Sequence, residues 1–519
     1  MIYLKRAAVF AALFLSCTLS ALAQDVTLTS RDGKVALSGM LLGFDGEFYR
    51  VQTDYGELTV DGSGVSCAGP GCPNLQDFVA EVQLSGSATM GAVLMPALIN
   101  AFAVRNGYEV SREVQSDIRF DLVLVRKDTG KTAARFSFHA SNTDEGFADL
   151  LADEADIVMA LREIRTPERT YARDAGMGDL TGPNRSRVLA LDAIAPVVAT
   201  GNPIKDISPL ALAEVLAGRV DNWKMLGGPD APIDVHLPAA ASGLHQAIED
   251  HVMEPVALTL REDVIRHSLP GDVARAVARD TLALGVTSFA ESRGVKVLTL
   301  GGTCGFELEA SRRTIKTEDY ALTAPMFLYF PARRLPLIAR EFLAFTRSPE
   351  AQNVIRRAGF TDQAPEEISI ENQGNRFANA IAVAGRETTL QELQRMTSTL
   401  APMARLTTSF RFETGSIRLD AQSRSNVQQL ARALEQGQYD ARQVKFVGFS
   451  DGQGAANANR DIALRRAQAV LRAVKAAAVT ANLDRVDLSV DAFGEAMPMA
   501  CDDTPWGRGV NRRVEVWVR

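Results

Sequence analysis

After its first two dozen residues the chain has no run long and apolar enough to span a membrane. It also lacks a series of alternating polar and apolar strands, so no outer-membrane barrel is expected. Clusters of Lys and Arg that track phosphates are missing, and the formal net charge is −7. Both argue against nucleic acid as a partner, and none is expected. Histidine is scarce: His139, His236, His245, His251 and His267 are all there is. None makes H-E-x-x-H or a metal pair at i, i+4 spacing. Neither a P-loop nor a dinucleotide fingerprint occurs, and Gly301-Gly302-Thr303-Cys304-Gly305 reads as a turn. No metal and no cofactor are expected. Gly448-Phe449-Ser450-Asp451-Gly452 has the G-x-S-x-G form of a nucleophile elbow, which needs a helix at once and a later histidine. A polar loop follows instead, and no histidine occurs after His267. No catalytic residue is assigned, and the chain reads as a non-enzyme.

What is present begins with an export signal. Lys5-Arg6 is the charged start, 7–19 the apolar stretch, and Ala21-Leu22-Ala23 a small-x-small cut before Gln24. Cys17 raises lipidation as an alternative, but Phe14-Leu15-Ser16 before it fits a lipobox poorly. Residues 1–23 are thus read as a signal peptide. Export makes disulfides possible for Cys67, Cys72, Cys304 and Cys501. Cys67-Ala-Gly-Pro-Gly-Cys72 closes a short loop of turn residues, so a local bridge is expected. Cys304 and Cys501 lie far apart in the sequence and either pair or stay free.

A mature chain of this length predicts about three domains, and 46% apolar residues suffice for ordinary cores. Residues 24–75 read as a β-module of four or so strands, separated by Asp32-Gly33, Asp45-Gly46 and Tyr55-Gly56. Residues 76–363 alternate strand-like and helix-like segments. Residues 364–400 are polar and read as a connector. The remainder, 401–519, carries the most specific constellation. An apolar run, 444–447, ends in a turn bearing Asp451; an Ala-rich helix then carries Asn459 and Arg466. Residues seven apart share a helix face, and the loop can fold back beside them. One carboxylate and one guanidinium at a single mouth suit a ligand with both an amine and a carboxylate. The plainer alternative is a surface ion pair.

This stretch resembles the OmpA-like, peptidoglycan-associated domain, whose pattern is roughly T-D-x-x-G and then N-x-x-L-S-x-x-R-A. Gly494-Glu495, Pro498, Gly507-Arg508 and Asn511-Arg512-Arg513-Val514-Glu515 follow in the family's order. Ser450 replaces Thr, and Ile462-Ala463 replaces Leu-Ser. The resemblance implies a βαβαβ domain in which Asp451, Asn459 and Arg466 hold diaminopimelate of the peptidoglycan stem peptide.

The middle region is similar to PstS-type phosphate-binding proteins of ABC transporters. It has in order Leu84-Ser85-Gly86-Ser87-Ala88-Thr89, Ala155-Asp156-Ile157-Val158, Ala241-Ser242-Gly243 and Ser348-Pro349-Glu350-Ala351-Gln352. The resemblance implies a two-lobed, type II-like periplasmic binding-protein domain closing on a small oxyanion such as phosphate. By position, Ser87, Ala88, Thr89, Ser141, Asp156, Ser242 and Gly243 would make the site. An ABC permease is implied as a further partner. Pro238 stands where the family has an arginine, Leu244 where it has a threonine, and Asp144 and Glu145 where its second loop is Gly-rich. A scaffold without solute, contacting another envelope protein, is the alternative. The whole is read as a multidomain α/β and α+β protein of the periplasm, near the outer membrane, associated with peptidoglycan.

Overall fold

A computed structural model describes residues 25–519 apart from 76, 183, 269–270, 386–387 and 414. The expected export signal, its cut before Gln24 and Cys17 lie outside the described residues.

Five antiparallel strands form the N-terminal module, in the order Gly56–Asp61, Phe48–Thr53, Ala36–Phe44, Val26–Ser30, Val65–Ala68. The period-two alternation of strands turns Val26, Leu28, Tyr49 and Val51 inward, each at most 1% exposed. Cys67 on the last strand is bonded to Cys72. Asp45 and Glu47 dock the module on the next domain through Arg334, at 2.9 and 2.5 Å.

The middle of the chain builds an 11-stranded mixed sheet shared by two lobes. Central strand β1 (Ala80–Ser87) runs parallel to β2 (Thr132–Ser141). Helix α1 (Thr143–Leu151) leads from β2 to β3 (Ile157–Ala160), which flanks β1 on its other side, also parallel. Strand β4 (Ser186–Val198) crosses between lobes: its first half pairs with a return strand, its second half with Ala283–Ser288 of the second lobe. In that lobe α2 (Gly243–Ile248) follows strand Asp234–Pro238. The return strand, β5 (Thr323–Tyr329), pairs with both β4 and β3. Both faces of these strands are covered, so they are apolar almost throughout rather than alternating.

Helix α3 (Leu390–Leu400) belongs to the segment read from sequence as a connector. Leu393, Met396 and Leu400, three and four residues apart, share one face and pack on Phe449, Phe493 and Trp517. Strand Glu367–Ile368 likewise joins the edge of the last sheet. These residues therefore form part of the C-terminal body. That body continues through β6 (Ala404–Phe410), α4 (Ala421–Glu435), β7 (Gln443–Phe449), α5 (Ala456–Ala477) and β8 (Asp487–Gly494). The expected βαβαβ run then adds a short helix, α6 (Pro505–Asn511), and a closing strand, β9 (Arg513–Val518). The closing strand inserts between β6 and β7, antiparallel to both.

The C-terminal body docks firmly on the second lobe. Arg405 forks onto Asp319 at 2.6 and 3.0 Å, and both residues are buried. Lys316 donates to Asp362 and Glu366 at 3.0 and 2.8 Å. Trp506 Nε1 donates to the His251 carbonyl at 2.6 Å. Cys304 and Cys501, 197 residues apart, are disulfide-bonded.

Candidate functional sites

Two mouths carry the residues singled out by sequence. The first lies between the lobes, where β1 ends. Gly86 precedes Ser87 with φ of +122°, and a Cβ there would meet the Met159 carbonyl oxygen at 2.2 Å. Only glycine lets β1 turn so close to β3. Ser141 is the in-register neighbour of Ser87, and its buried Oγ has no hydrogen-bond partner. Ala88 and Thr89 open the helical turn that follows, with Ser87 Oγ accepting from Met90 N at 3.5 Å. Across the cleft, Ser242 caps α2 by accepting from His245 N at 3.2 Å. Gly243 comes so near that a Cβ on it would stand 3.6 Å from Ser87 Oγ and 3.4 Å from Leu161 Cδ1. Asn142 Nδ2 spans the lobes to the Ala241 carbonyl at 3.0 Å. Ser87, Ala88, Thr89, Ser141, Ser242 and Gly243 are thus brought together.

Asp156 is not. It precedes β3 beside Gln83, whose N–H donates to it at 2.8 Å, and it pairs with Arg333 at 2.8 Å. Gln83 is four residues down β1 from Ser87, about 13 Å at ~3.3 Å per residue. Burial, first of all, holds the Asp156 carboxyl above its ordinary range. Two cations near the cleft had no role in the sequence reading. Arg266, on the strand beside Asp234–Pro238, donates to the Pro238 carbonyl at 3.0 Å and sits 2.9 Å from His245 Nδ1. Arg162, 6% exposed, follows β3. It forks onto Glu168 at 2.9 and 2.6 Å, bonds Asp144, and lies 3.9 Å from Asp250. Burial pulls its pKa down, but the bonds to Glu168 and Asp144 outweigh it and leave the guanidinium above its ordinary range.

The second mouth is in the C-terminal body. A Cβ on Gly448 would lie 2.1 Å from the Ala463 carbonyl oxygen. Glycine there lets α5 press against β7 and brings Arg466 under the loop that holds Asp451. Asn459 donates to Glu495 at 3.0 Å, and Asp451 accepts from Arg512 at 2.6 Å. Arg512 belonged to a motif read from sequence without a role; it reaches Asp451 because β9 inserts beside β7. Arg466 is only 5% exposed. Among the described residues its one hydrogen bond is a 3.4 Å contact to the Ser416 carbonyl and its Nε has no partner; its guanidinium lies 5.2 Å from the Phe412 ring centre. Burial first, then the charge of Arg512, hold it below the ordinary arginine range, with Asp451 partly offsetting them. Ser450 Oγ is also buried without a partner. The α5 helix begins only at Ala456, so Ser450 does not sit on an elbow.

A model of the PBP superfamily domain matches residues 78–350, and one of the OmpA family matches 411–512. The chain belongs to the PBP superfamily. It carries an OmpA-family domain behind the PBP domain. Phosphate-binding protein PstS of Staphylococcus aureus (strain USA300) is 22% identical over 301 residues, 55% of this chain and 88% of that protein. PstS of Borreliella burgdorferi is 23% identical over 199 residues, 36% of this chain and 70% of that protein. The crystal structure of an ABC-type phosphate transport receptor from Vibrio cholerae is 19% identical, with a TM-score of 0.41, and covers 54% of this chain and 98% of that one. Among the described residues, no helix is long and apolar enough to cross a membrane, and no group of three metal-ligating side chains occurs.

Proposed function

We propose that this protein is a periplasmic solute-binding protein held non-covalently on peptidoglycan by its OmpA-family domain. The observation that carries the anchoring is Arg466: a nearly buried guanidinium with an unpartnered Nε, close enough to Asp451 and Arg512 to feel both charges. Such a group is costly to keep unpaired. A ligand carboxylate satisfies it bidentately, while Asp451 takes the ammonium of the same zwitterion. Asn459 steadies the mouth. Diaminopimelate in the stem peptide has both groups. Calorimetry of the full chain with a diaminopimelate-containing stem peptide tests this; no saturable heat, or equal heat with Arg466→Ala, would refute it.

For the solute, relatives named phosphate-binding proteins support phosphate or a related oxyanion. Hydroxyls of Ser87, Thr89 and Ser141 and the α2 N-terminus at Ser242-Gly243 are the contacts. Asp156, expected in the site by position, is dropped from it, because it lies beside Gln83 at the other end of β1. One observation favours a second reading, an envelope adaptor with an idle cleft: Arg162 is already committed to Glu168 and Asp144. Titration with phosphate and sulfate separates the two readings. Heat lost in Ser141→Ala supports the first; no heat at millimolar anion supports the second.

A further inference from the structure

A second cleft, of about 790 Å³, opens between the PBP domain and the OmpA-family domain. One wall is the start of β4 and the segment 344–352; the other is α4. Gln428, Arg432 and Gln436 follow one another at i, i+4 spacing, so one face of α4 lines the cleft. Arg187 enters from β4 and Arg347 from the turn at 346–348. Arg424 also lines the hollow, but it donates to the Leu419 carbonyl at 2.8 Å and lies 3.7 Å from Glu163; Arg187, Arg347 and Arg432 are three further guanidinium groups, from two domains.

Their surroundings do not neutralise them. Arg187 donates to the Leu343 carbonyl and to Thr346 Oγ1, while its Nε is buried without a partner. Burial, then the charges of Arg347 and Arg432, hold Arg187 well below the arginine range. Arg347 is pulled down as well, by desolvation and by Arg432. Among the described residues, Glu435 beside Arg432 is the one acid whose charge counteracts this. Two buried arginines elsewhere on the protein are matched: Arg162 has Glu168 and Asp144, and Arg405 has Asp319. A folded chain that gathers three like charges against a single counter-charge, Glu435, accepts a repulsion that an anion relieves. The walls are fixed, because the Cys304–Cys501 bond and the Arg405–Asp319 pair join the two domains.

We propose that this interdomain cleft binds a small multivalent oxyanion, a molecule with at least two phosphoryl or carboxylate groups. The volume exceeds what one orthophosphate fills and lies in the range of small-molecule sites. Arginines on opposite walls call for anionic groups at both ends of the ligand. The glutamines between them supply neutral donors. Bound there, the anion touches both domains and stabilises their docking.

Pyrophosphate is the probe, with acetate as the monovalent control, titrated calorimetrically into the full chain. Saturable binding that weakens with added salt is expected, with acetate giving none. Arg347→Gln and Arg432→Gln should each weaken pyrophosphate about tenfold, the loss of one charge-assisted bond. Among the described residues neither side chain makes a hydrogen bond, so either variant alone keeps the test valid. No saturable heat at millimolar pyrophosphate, or binding that both variants retain unchanged, overturns the proposal. Binding of a poly-glutamate peptide without binding of pyrophosphate also overturns it, in favour of a protein partner.

Discussion

Arg162 and Arg466 stand in comparable places, each beside a strand-to-helix turn at a candidate mouth and each 5–6% exposed. Their electrostatic employment differs. Arg162 meets carboxylates of Glu168 and Asp144, with Asp250 just beyond, and acts as an internal counter-ion. Arg466 has one long bond to a carbonyl, and Asp451, the acid whose charge reaches it, is held by Arg512. A buried arginine that is fully matched stabilises a wall. One that is left short is available to a ligand. Residue type at a family position therefore does not define a site; the neighbours brought by folding do.

The same substitution at both places sharpens the contrast. Arg162→Met takes the guanidinium from the largely buried Glu168, while Asp144 keeps Arg165 at 3.3 Å; breaking a buried pair costs about 3 kcal/mol, read as a lower denaturant midpoint. Arg466→Met should cost under about 1 kcal/mol, since Asp451 keeps Arg512 and no carboxylate is orphaned. Equal losses would break the comparison. The second prediction concerns the frame that carries both mouths. Cys304→Ser removes a long-range cross-link and should lower stability by about 2–4 kcal/mol, measured by chemical denaturation against the wild type under the same non-reducing conditions. An unchanged midpoint would mean the bond adds nothing to the docking.

The smallest effect is one of pH. Glu318 sits at the domain junction, and burial first, then the Asp420 charge, push its carboxyl up to about 8. A raised carboxyl pKa means the folded state binds the extra proton. Its stabilisation is full below the ordinary value near 4.5 and is lost as pH rises through about 8. Glu318→Gln should flatten stability between these limits; an unaltered pH slope would show that Glu318 does not titrate there.

Much of this was legible in the sequence, and the pattern of success is physical. Asn459 and Arg466 were readable because helical period is local, and the Asp451 turn directly precedes that helix. The Cys67–Cys72 loop was readable for the same reason. Asp156 was misjudged because its motif sits at the wrong end of a strand, and strand direction relative to β1 depends on pairing that residue order does not record. Arg266 and Arg512 were missed because each reaches its site from an adjacent strand. Arg187, Arg347 and Arg432 meet only after two domains dock, which no local spacing encodes. The α3 face, by contrast, was present as Leu393, Met396 and Leu400, but the polar residues around it masked its packing partner.

The central claim is that Arg466 is a ligand group and Arg162 a structural one. Co-sedimentation of the full chain with purified sacculi tests it most directly. The wild type should be retained. Arg466→Ala should lose about tenfold to a hundredfold in affinity, from ~1.5–3 kcal/mol of charge-assisted bonding. Asp451→Ala should fail similarly, and Arg466→Lys should not restore binding, because an ammonium lacks the planar fork. Equal retention of all these forms, or no retention of the wild type, would contradict the account.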